Sequence, residues 1–458
     1  MSKIVIAGAS GFVGKRLIET LKESHELVAL SRGKQREDGI EWRSCDLFSL
    51  KETEAALEGA EVGIYLVHSM LPSARLTQGA FQDFDLISAD NFARAAKKVG
   101  LKQIIYLGGL IDRSLELSAH LKSRLEVEKV LNSYGIPVTT LRAGLILGRG
   151  GSSFMMLYRL VQRLPMMLLP AWTATRTQAI LIEDVIKLIQ FCLLKEECFS
   201  QSYDVGTTEI LTYKEMLRET ALQLGKRRLF FSVPLFSPKL SKAWVSLVTG
   251  APYSLVGPLV DSLRHEMLVR DTRLMEAAGL PLVKFRQALQ VTLDEPKSES
   301  PFRRMRRIKK QNREGSLVRS VQRMSLSTTW TAKQVVDAYL DWLPRFLPWL
   351  LRVELNPEGG CSFYLSGTKL LLLKLALDST WSNEDRQLLR IRGGILSRDN
   401  NGHGRLEFRL VLKGQSAIAA IHDYRPSLPW FIYNWTQARA HLFVMKNFGK
   451  YLKGVSHV

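Results

Sequence analysis

Cysteine is scarce: Cys45, Cys192, Cys198 and Cys361 are the four in 458 residues. They stand far apart or six residues apart, matching neither zinc-ligand spacing nor a disulfide framework, so ordinary thiols and no metal site are expected. No run of about 18 uncharged apolar residues occurs, which excludes a conventional membrane-spanning helix. The opening MSKIVIAGASG lacks the basic start and the uninterrupted apolar region of about 7 to 15 residues that a secretory signal needs. A cytoplasmic protein is the expectation. Internal repeats and low-complexity tracts are missing too, and 46% hydrophobic with 24% charged residues excludes wholesale disorder. Negative charge is the last shortage: 44 Asp and Glu face 64 Lys and Arg, a formal net charge of +20. That surplus points to an anionic partner, whether nucleic acid, a membrane surface or a phosphorylated ligand.

What is present is organised. From Lys3 to about Thr292, β-branched runs alternate with longer helical patterns, the signature of a parallel sheet wrapped by helices. Strands are expected at Ile4 to Ala7, Leu27 to Leu30, Val62 to Val67, Gln103 to Leu107, Pro137 to Leu141 and Tyr203 to Val205. Amphipathic stretches such as Gly14 to Leu21 and Phe84 to Val99 read as crossover helices. After Leu293 the text turns polar and nearly aperiodic, with Pro296 and Pro301 discouraging helix, and residues 293–315 read as a basic linker. Residues 301–323 hold nine Lys or Arg and one Glu, so about eight of the twenty excess charges sit there. Six of the nine tryptophans fall between Trp330 and Trp435, in a region whose order is strand, helix, several strands, helix. This suggests an α+β domain over 316–458.

The sharpest chemical signal is KIVIAGASGFVGKRLIETL: an apolar strand, then Gly8, Gly11 and Gly14, then a helix. Gly8 makes the tight turn, Gly11 lets backbone approach a pyrophosphate, and Gly14 permits close helix packing. The free N–H groups of Ser10, Phe12, Val13 and their neighbours hold the anion. The competing reading is a tight strand-to-helix turn without a ligand. At the end of the second strand an acidic residue would grip a ribose 2′-hydroxyl and a basic one a 2′-phosphate. Ser31 and Arg32 stand there, with no carboxylate before Glu37, so NADP(H) is expected over NAD(H). Asp46 and Leu47 are candidates to cap the adenine, an exposed turn aspartate being the alternative.

At this point the chain resembles the atypical branch of the extended short-chain dehydrogenase/reductase family, with further likeness to NmrA-like proteins and an accessory subunit of respiratory complex I. The motifs, over residues 1–292, are GASGFVG, CDL at Cys45 to Leu47, IYLVHSM, NFARAAKKVGLKQIIYLGG, LRAGLILGRG and IEDV at Ile182 to Val185. The resemblance implies a Rossmann-type doubly wound parallel sheet, with a small substrate-side portion from about 150–176 and 208–292. Active members use a Tyr with a Lys four residues on, and a Ser or Thr after the fifth strand. In HLKSRLEVEKVL the Tyr position is His120, the Lys position Arg124, and the serine position Gly108. His120 can replace the phenol as general acid or base and Arg124 can clamp ribose or phosphate. Alternatively, the site has lost its chemistry and kept its cofactor. Val67, His68 and Ser69, ending the fourth strand, are placed to face the nicotinamide.

Two apolar segments each have two readings. Ser153 to Trp172, with four methionines, either lines an apolar substrate cleft or packs as core. Asp341 to Leu355 mixes aromatics, prolines and arginines, and suits a membrane-facing patch or an ordinary core. The C-terminal element order resembles the START-like helix-grip fold, which implies an apolar cavity. Asn400 to Gly402 reads as a hairpin turn, and His422 to Arg425 as a polar site or a closed hydrogen-bond network. In PFRRMRRIKK no aromatics interleave with the charges, so no nucleic acid is expected. A solvated linker is the first reading of this stretch and peripheral contact with an acidic membrane surface the other; a hydrophobic small molecule is the expected partner. The reading is an NADP(H)-binding reductase of a hydrophobic carbonyl or quinone, or else a non-catalytic dinucleotide-binding structural or redox-sensing protein.

Overall fold

Short runs rich in Val, Ile, Leu and Ala, buried on both faces at the centre, build with one polar edge strand a seven-stranded parallel sheet. Its strands are β1 (Lys3–Ala7), β2 (Glu26–Ser31), β3 (Glu41–Ser44), β4 (Val62–Tyr65), β6 (Gln103–Gly109), β7 (Val138–Ala143) and β12 (Ser202–Val205), ordered β12-β7-β6-β4-β1-β2-β3. The order reverses between β1 and β4, whose registers pair Ile4 with Val62 and Ala7 with Tyr65. Such a switch point leaves a crevice at the carboxyl ends of the strands. In this computed structural model all residues are described except 34, 36, 69–73, 75, 113–115, 234–237, 297–298, 315–316, 358, 399–402 and 455–458. At 308, 309 and 311–314 the backbone alone is described. Ser69, Lys34, Arg36 and the expected turn at 400–402 therefore lie outside the described residues.

The chain divides into two compact units, Met1–Leu71 with Asp85–Arg307, and Pro72–Phe84 with Ile308–Val458. In the first, helices α1 (Phe12–Leu21), α2 (Leu50–Leu57), α3 (Phe81–Val99, from Asp85 onward in this unit), α4 (Ala119–Leu131) and α6 (Ile182–Cys192) are the crossovers. Ile4, Ile6, Leu17, Val62, Ile105, Leu141 and Val185 share one core on the α1 and α6 side. Three small ribbons follow: β8 (Ile146–Leu147) with β11 (Ile180–Leu181), β9 (Met166–Pro170) with β14 (Leu229–Val233), and β10 (Arg176–Thr177) with β13 (Leu211–Thr212). With them pack α5 (Ser152–Arg163), α7 (Tyr213–Gln223), α8 (Pro238–Thr249), α9 (Tyr253–Ser262), α10 (Arg273–Ala278) and α11 (Phe285–Asp294).

Residues Pro301–Glu314 form a helix, α12, where the sequence reads as irregular linker. Proline is tolerated in the first helical turn, whose N–H groups have no intrahelical partner, so Pro301 opens this helix instead of breaking it. Phe302 and Met305, three residues apart, supply its apolar stripe and pack with Val245, Leu255 and Val256.

The second unit has an eight-stranded sheet. Its strands β16 (Leu351–Leu355), β17 (Gly360–Leu365), β18 (Leu371–Leu377), β19 (Arg386–Gly393), β20 (Arg405–Val411), β21 (Ser416–Tyr424) and β15 (Val318–Ser325) pair antiparallel in that order, and β5 (Leu76–Gln78) adds a parallel edge. Helices α13 (Ala332–Phe346), α14 (Trp430–Trp435) and α15 (Gln437–Gly454) complete it, with Tyr339, Phe408 and Phe448 meeting in the core. His422 lies 3.0 Å from Glu407, and Asp423 holds Arg319 at 2.8 Å and Arg405 at 3.2 Å. That cluster is a hydrogen-bonded ion network. Among the described residues no helix is long and apolar enough to cross a membrane.

Burial holds His422 and His441 down to about 4, the nearby Glu407 opposing the shift at His422. An unfolded histidine titrates near ~6.5, so between that pH and about 4 the unfolded chain binds protons that the folded one refuses. Stability therefore falls as pH drops through this window and levels off below it, by up to about 3 kcal/mol per ring. Melting temperature is expected to fall by several degrees between pH 7 and 4.5, and His441→Phe to remove part of that slope. An unchanged slope in the variant would assign the acid sensitivity elsewhere.

Candidate functional site

The glycine loop is a cradle with no room for side chains. β1 ends at Ala7 and the chain turns through Gly8 at φ +89°. Gly11 N–H donates to Gly8 O at 2.8 Å, and Gly11 caps α1 without a side-chain bond. A Cβ on Gly14 would lie 2.5 Å from Gly8 O and 2.6 Å from Ala9 Cα. Helix α1 thus seats directly on the turn, and its first-turn N–H groups at Phe12, Val13 and Gly14 are oriented for an anion. The Phe12 ring packs on Gly148 and Gly151, where added Cβ atoms would stand 2.5 and 3.1 Å away. Ser10 O accepts from Arg304 of α12, 294 residues away in the chain and so beyond the reach of local pattern.

At the end of β2, Ser31 Oγ accepts from Gly33 N–H at 3.1 Å and donates to Gly33 O at 2.8 Å, closing a small turn. Arg32 projects from it, exposed. Asp46 Oδ1 accepts from Phe48 N–H at 3.1 Å. Leu47 is buried, its carbonyl accepting from Asn91 Nδ2.

Beyond β4 and β6 the structure brings together residues the sequence names and one it does not. His68 Nδ1 lies 2.6 Å from Asp85 Oδ2 on α3, and its Nε2 lies 3.1 Å from His120 Nδ1 at the start of α4. Asp85, 1% exposed, also accepts from Ser123 Oγ at 2.9 Å. His120 Nε2 has no partner among the described residues, and the ring lines a cavity of about 150 Å³. Desolvation first, then His68 and Arg124, hold His120 well below the ordinary histidine value. It is neutral at physiological pH.

Arg124 occupies a different station from its neighbour. Its guanidinium donates to Val67 O at 3.4 Å and to Leu107 O, and stands 5.1 Å over the Tyr106 ring. It ties the ends of β4 and β6 together. At Gly108 a Cβ would meet the Tyr106 ring at 3.1 Å, so a side chain in the serine position would crowd this stack.

The cavity is apolar, with Leu121, Met156, Leu157, Leu160, Trp172 and Tyr213 among its lining. The methionine segment therefore serves both its readings: Phe154 and Val161 are core, while Met156, Leu157 and Leu160 face the cavity. A polar clasp holds α4 beside it. Ser118 Oγ caps α4 by accepting from Leu121 N–H and lies 2.8 Å from Ser262 Oγ. Ser118 N–H donates to His265 Nε2 at 3.1 Å, and His265 Nδ1 lies 3.1 Å from Asp112. His265 then carries its proton on Nδ1, which fixes its tautomer and makes it a positioning group.

Residues 8–153 match a family model described as NAD(P)H-binding. Auxiliary protein GraX of Staphylococcus aureus is 33% identical over 144 residues, which are 30% of this chain and 43% of that protein, so the chain matches less than half of it. UDP-glucose 4-epimerase of Vibrio cholerae is 22% identical over 52% of this chain and 80% of its own length. An NADPH-dependent quinone oxidoreductase of Escherichia coli, solved with NADPH, superposes at TM-score 0.52 with 20% identity, over 64% of this chain and 100% of its own. A triphenylmethane reductase of Citrobacter, complexed with NADP(H), does so at 0.51 and 17% over the same shares. At these identities the two structures speak for the fold. Family match, glycine cradle and reversed strand order agree: residues 8–153 match an NAD(P)H-binding domain, and the first unit has a Rossmann-type fold.

Proposed function

We propose that the chain is an NADP(H)-dependent reductase of a hydrophobic carbonyl or quinone-type acceptor. The observation that carries this is the line Asp85–His68–His120, which runs from a buried carboxylate to an apolar cavity. The names of the quinone oxidoreductase and the triphenylmethane reductase fit that choice of acceptor. The cradle fits the cofactor: Gly8, Ser10, Gly11, Phe12, Val13 and Gly14 would hold its pyrophosphate, Arg32 its 2′-phosphate, and Asp46, Leu47, Val67 and Gly108 would border it. Bound NADPH supplies the hydride.

The protein supplies the proton. The relay runs from the form in which His68 donates Nδ1–H to the Asp85 carboxylate at 2.6 Å and Nε2–H to His120, while His120 is neutral with its proton on Nε2. His120 Nε2–H passes to the acceptor oxygen as His68 Nε2–H passes to His120 Nδ1. His68 is left neutral, its Nδ1–H still donated to Asp85. A group too desolvated to carry charge can thus act as a general acid, because the charge never rests on it. The second reading, a dinucleotide-binding sensor without turnover, is favoured by Arg124, whose guanidinium is engaged with backbone carbonyls. NADPH oxidation against a panel of quinones and aldehydes separates the two: binding without turnover on any acceptor selects the sensor.

Cofactor choice has its own test. Arg32→Asp is expected to weaken NADPH at least tenfold relative to NADH in a fluorescence titration, since a charge-assisted hydrogen bond is worth roughly 1.5–3 kcal/mol. Equal weakening of both cofactors would show that Arg32 does not read the phosphate.

A further inference from the structure

Arg159 and Arg163 stand one turn apart on α5, and α12 brings Arg303 and Arg306 to the same place. Between them lies a cleft of about 330 Å³, walled also by Leu247, Gly250 and Phe302. That volume is within the range of roughly 300–1,000 Å³ occupied by small-molecule sites. The end of α8 is the anchor. Arg163 Nη1 donates to Val248 O at 2.6 Å, Arg159 Nη1 to Thr249 O at 2.6 Å, and Arg306 Nη2 to Gly250 O at 2.8 Å. A Cβ on Gly250, whose φ is +69°, would stand 3.1, 3.5 and 3.8 Å from terminal nitrogens of Arg306, Arg159 and Arg163. Three guanidinium groups therefore converge on one point. Arg159 is held further by Ser300 Oγ at 2.6 Å and by the Phe302 ring, 4.8 Å below its guanidinium carbon.

Capping a helix does not account for this much charge. A helix C-terminus carries about half a negative charge, and four arginines answer it. Among the described residues none of the four is paired with a carboxylate, although adjacent Arg307 reaches Glu299 at 3.3 Å. Each guanidinium has about five N–H donors, of which the carbonyls and Ser300 take a minority. Burial, then Arg163, Arg306 and Arg303, depress the Arg159 pKa. The free protein bears a repulsion that a bound anion would relieve.

We propose that this cleft binds the phosphate group of a phosphorylated ligand. Planar guanidinium forks match phosphate oxygens in pairs, and a phosphate group offers more oxygens and charge to several of them than a carboxylate does. The phosphate has two possible bearers, a water-soluble ester or diphosphate and a phospholipid headgroup. Leu247, 82% exposed on the rim, gives the second an apolar foothold.

Two measurements on the full chain test the site: calorimetric titration with pyrophosphate, and co-sedimentation with phosphatidylcholine vesicles with and without phosphatidic acid. Arg163→Gln with Arg306→Gln removes two exposed charges and keeps the more buried Arg159. Lys22→Gln with Lys51→Gln removes the same charge from remote exposed positions. The arginine pair is expected to weaken binding at least tenfold and the lysine pair less than twofold. Saturable pyrophosphate binding lost in the arginine variant identifies a soluble ligand; phosphatidic acid-dependent sedimentation without it identifies the lipid. No binding of either probe overturns the proposal. So does equal loss in both variants, or pyrophosphate binding that the arginine pair leaves intact, which would place the anion on the glycine loop.

Discussion

His120→Ala is expected to lower NADPH-driven turnover by about 10²–10⁴-fold, the usual contribution of a positioned general acid, while NADPH affinity changes less than twofold. The separation follows from the geometry: His120 lines the apolar cavity and receives His68 at 3.1 Å, whereas the glycine cradle lies on another turn of chain. His68→Gln should also be slow but less so, because the amide keeps a hydrogen bond to His120 without carrying a proton to it. Melting temperatures serve as the control for folding. Wild-type turnover in His120→Ala would remove the relay from the mechanism and leave the cavity as a binding site only.

What the sequence revealed was whatever chemistry is local. Gly8, Gly11 and Gly14 lie within one turn and its following helix, so their spacing alone carries their meaning. Asp85 was legible in principle: it falls in line with Ala89, Phe92 and Ala96, all buried along α3, and a carboxylate on an apolar helical stripe requires a partner. The clasp of Ser118, Ser262, His265 and Asp112 was not. Its hydrogen bonds span 144 to 153 residues and exist only once α9 has packed beside α4. The arginine cleft is similar, since the two arginines that α5 and α12 each contribute look like solvated faces until one helix end draws them together. α12 itself was obscured by reading Pro301 as a breaker. β3, with the polar sequence EWRS, escapes notice because an edge strand has only one neighbour to satisfy.

Gly14→Ala, adding one methyl group, is expected to weaken NADPH by at least 100-fold, about 2.7 kcal/mol. The new Cβ would stand 2.5 Å from Gly8 O and 2.6 Å from Ala9 Cα and O, backbone atoms that have no rotamer to change. Relief requires α1 to lift from the turn, which withdraws the N–H groups that receive the pyrophosphate. Overpacking of this kind also costs about 1–3 kcal/mol of stability, read as a lower melting temperature. Gly33→Ala is the matched control: among the described residues nothing lies within 4 Å of its added carbon, and binding should be unchanged. Loss in Gly14→Ala with retention in Gly33→Ala places the dinucleotide on the loop. Retained affinity in Gly14→Ala would detach the cofactor from this cradle, and with it the proposed route of hydride to the cavity above His120.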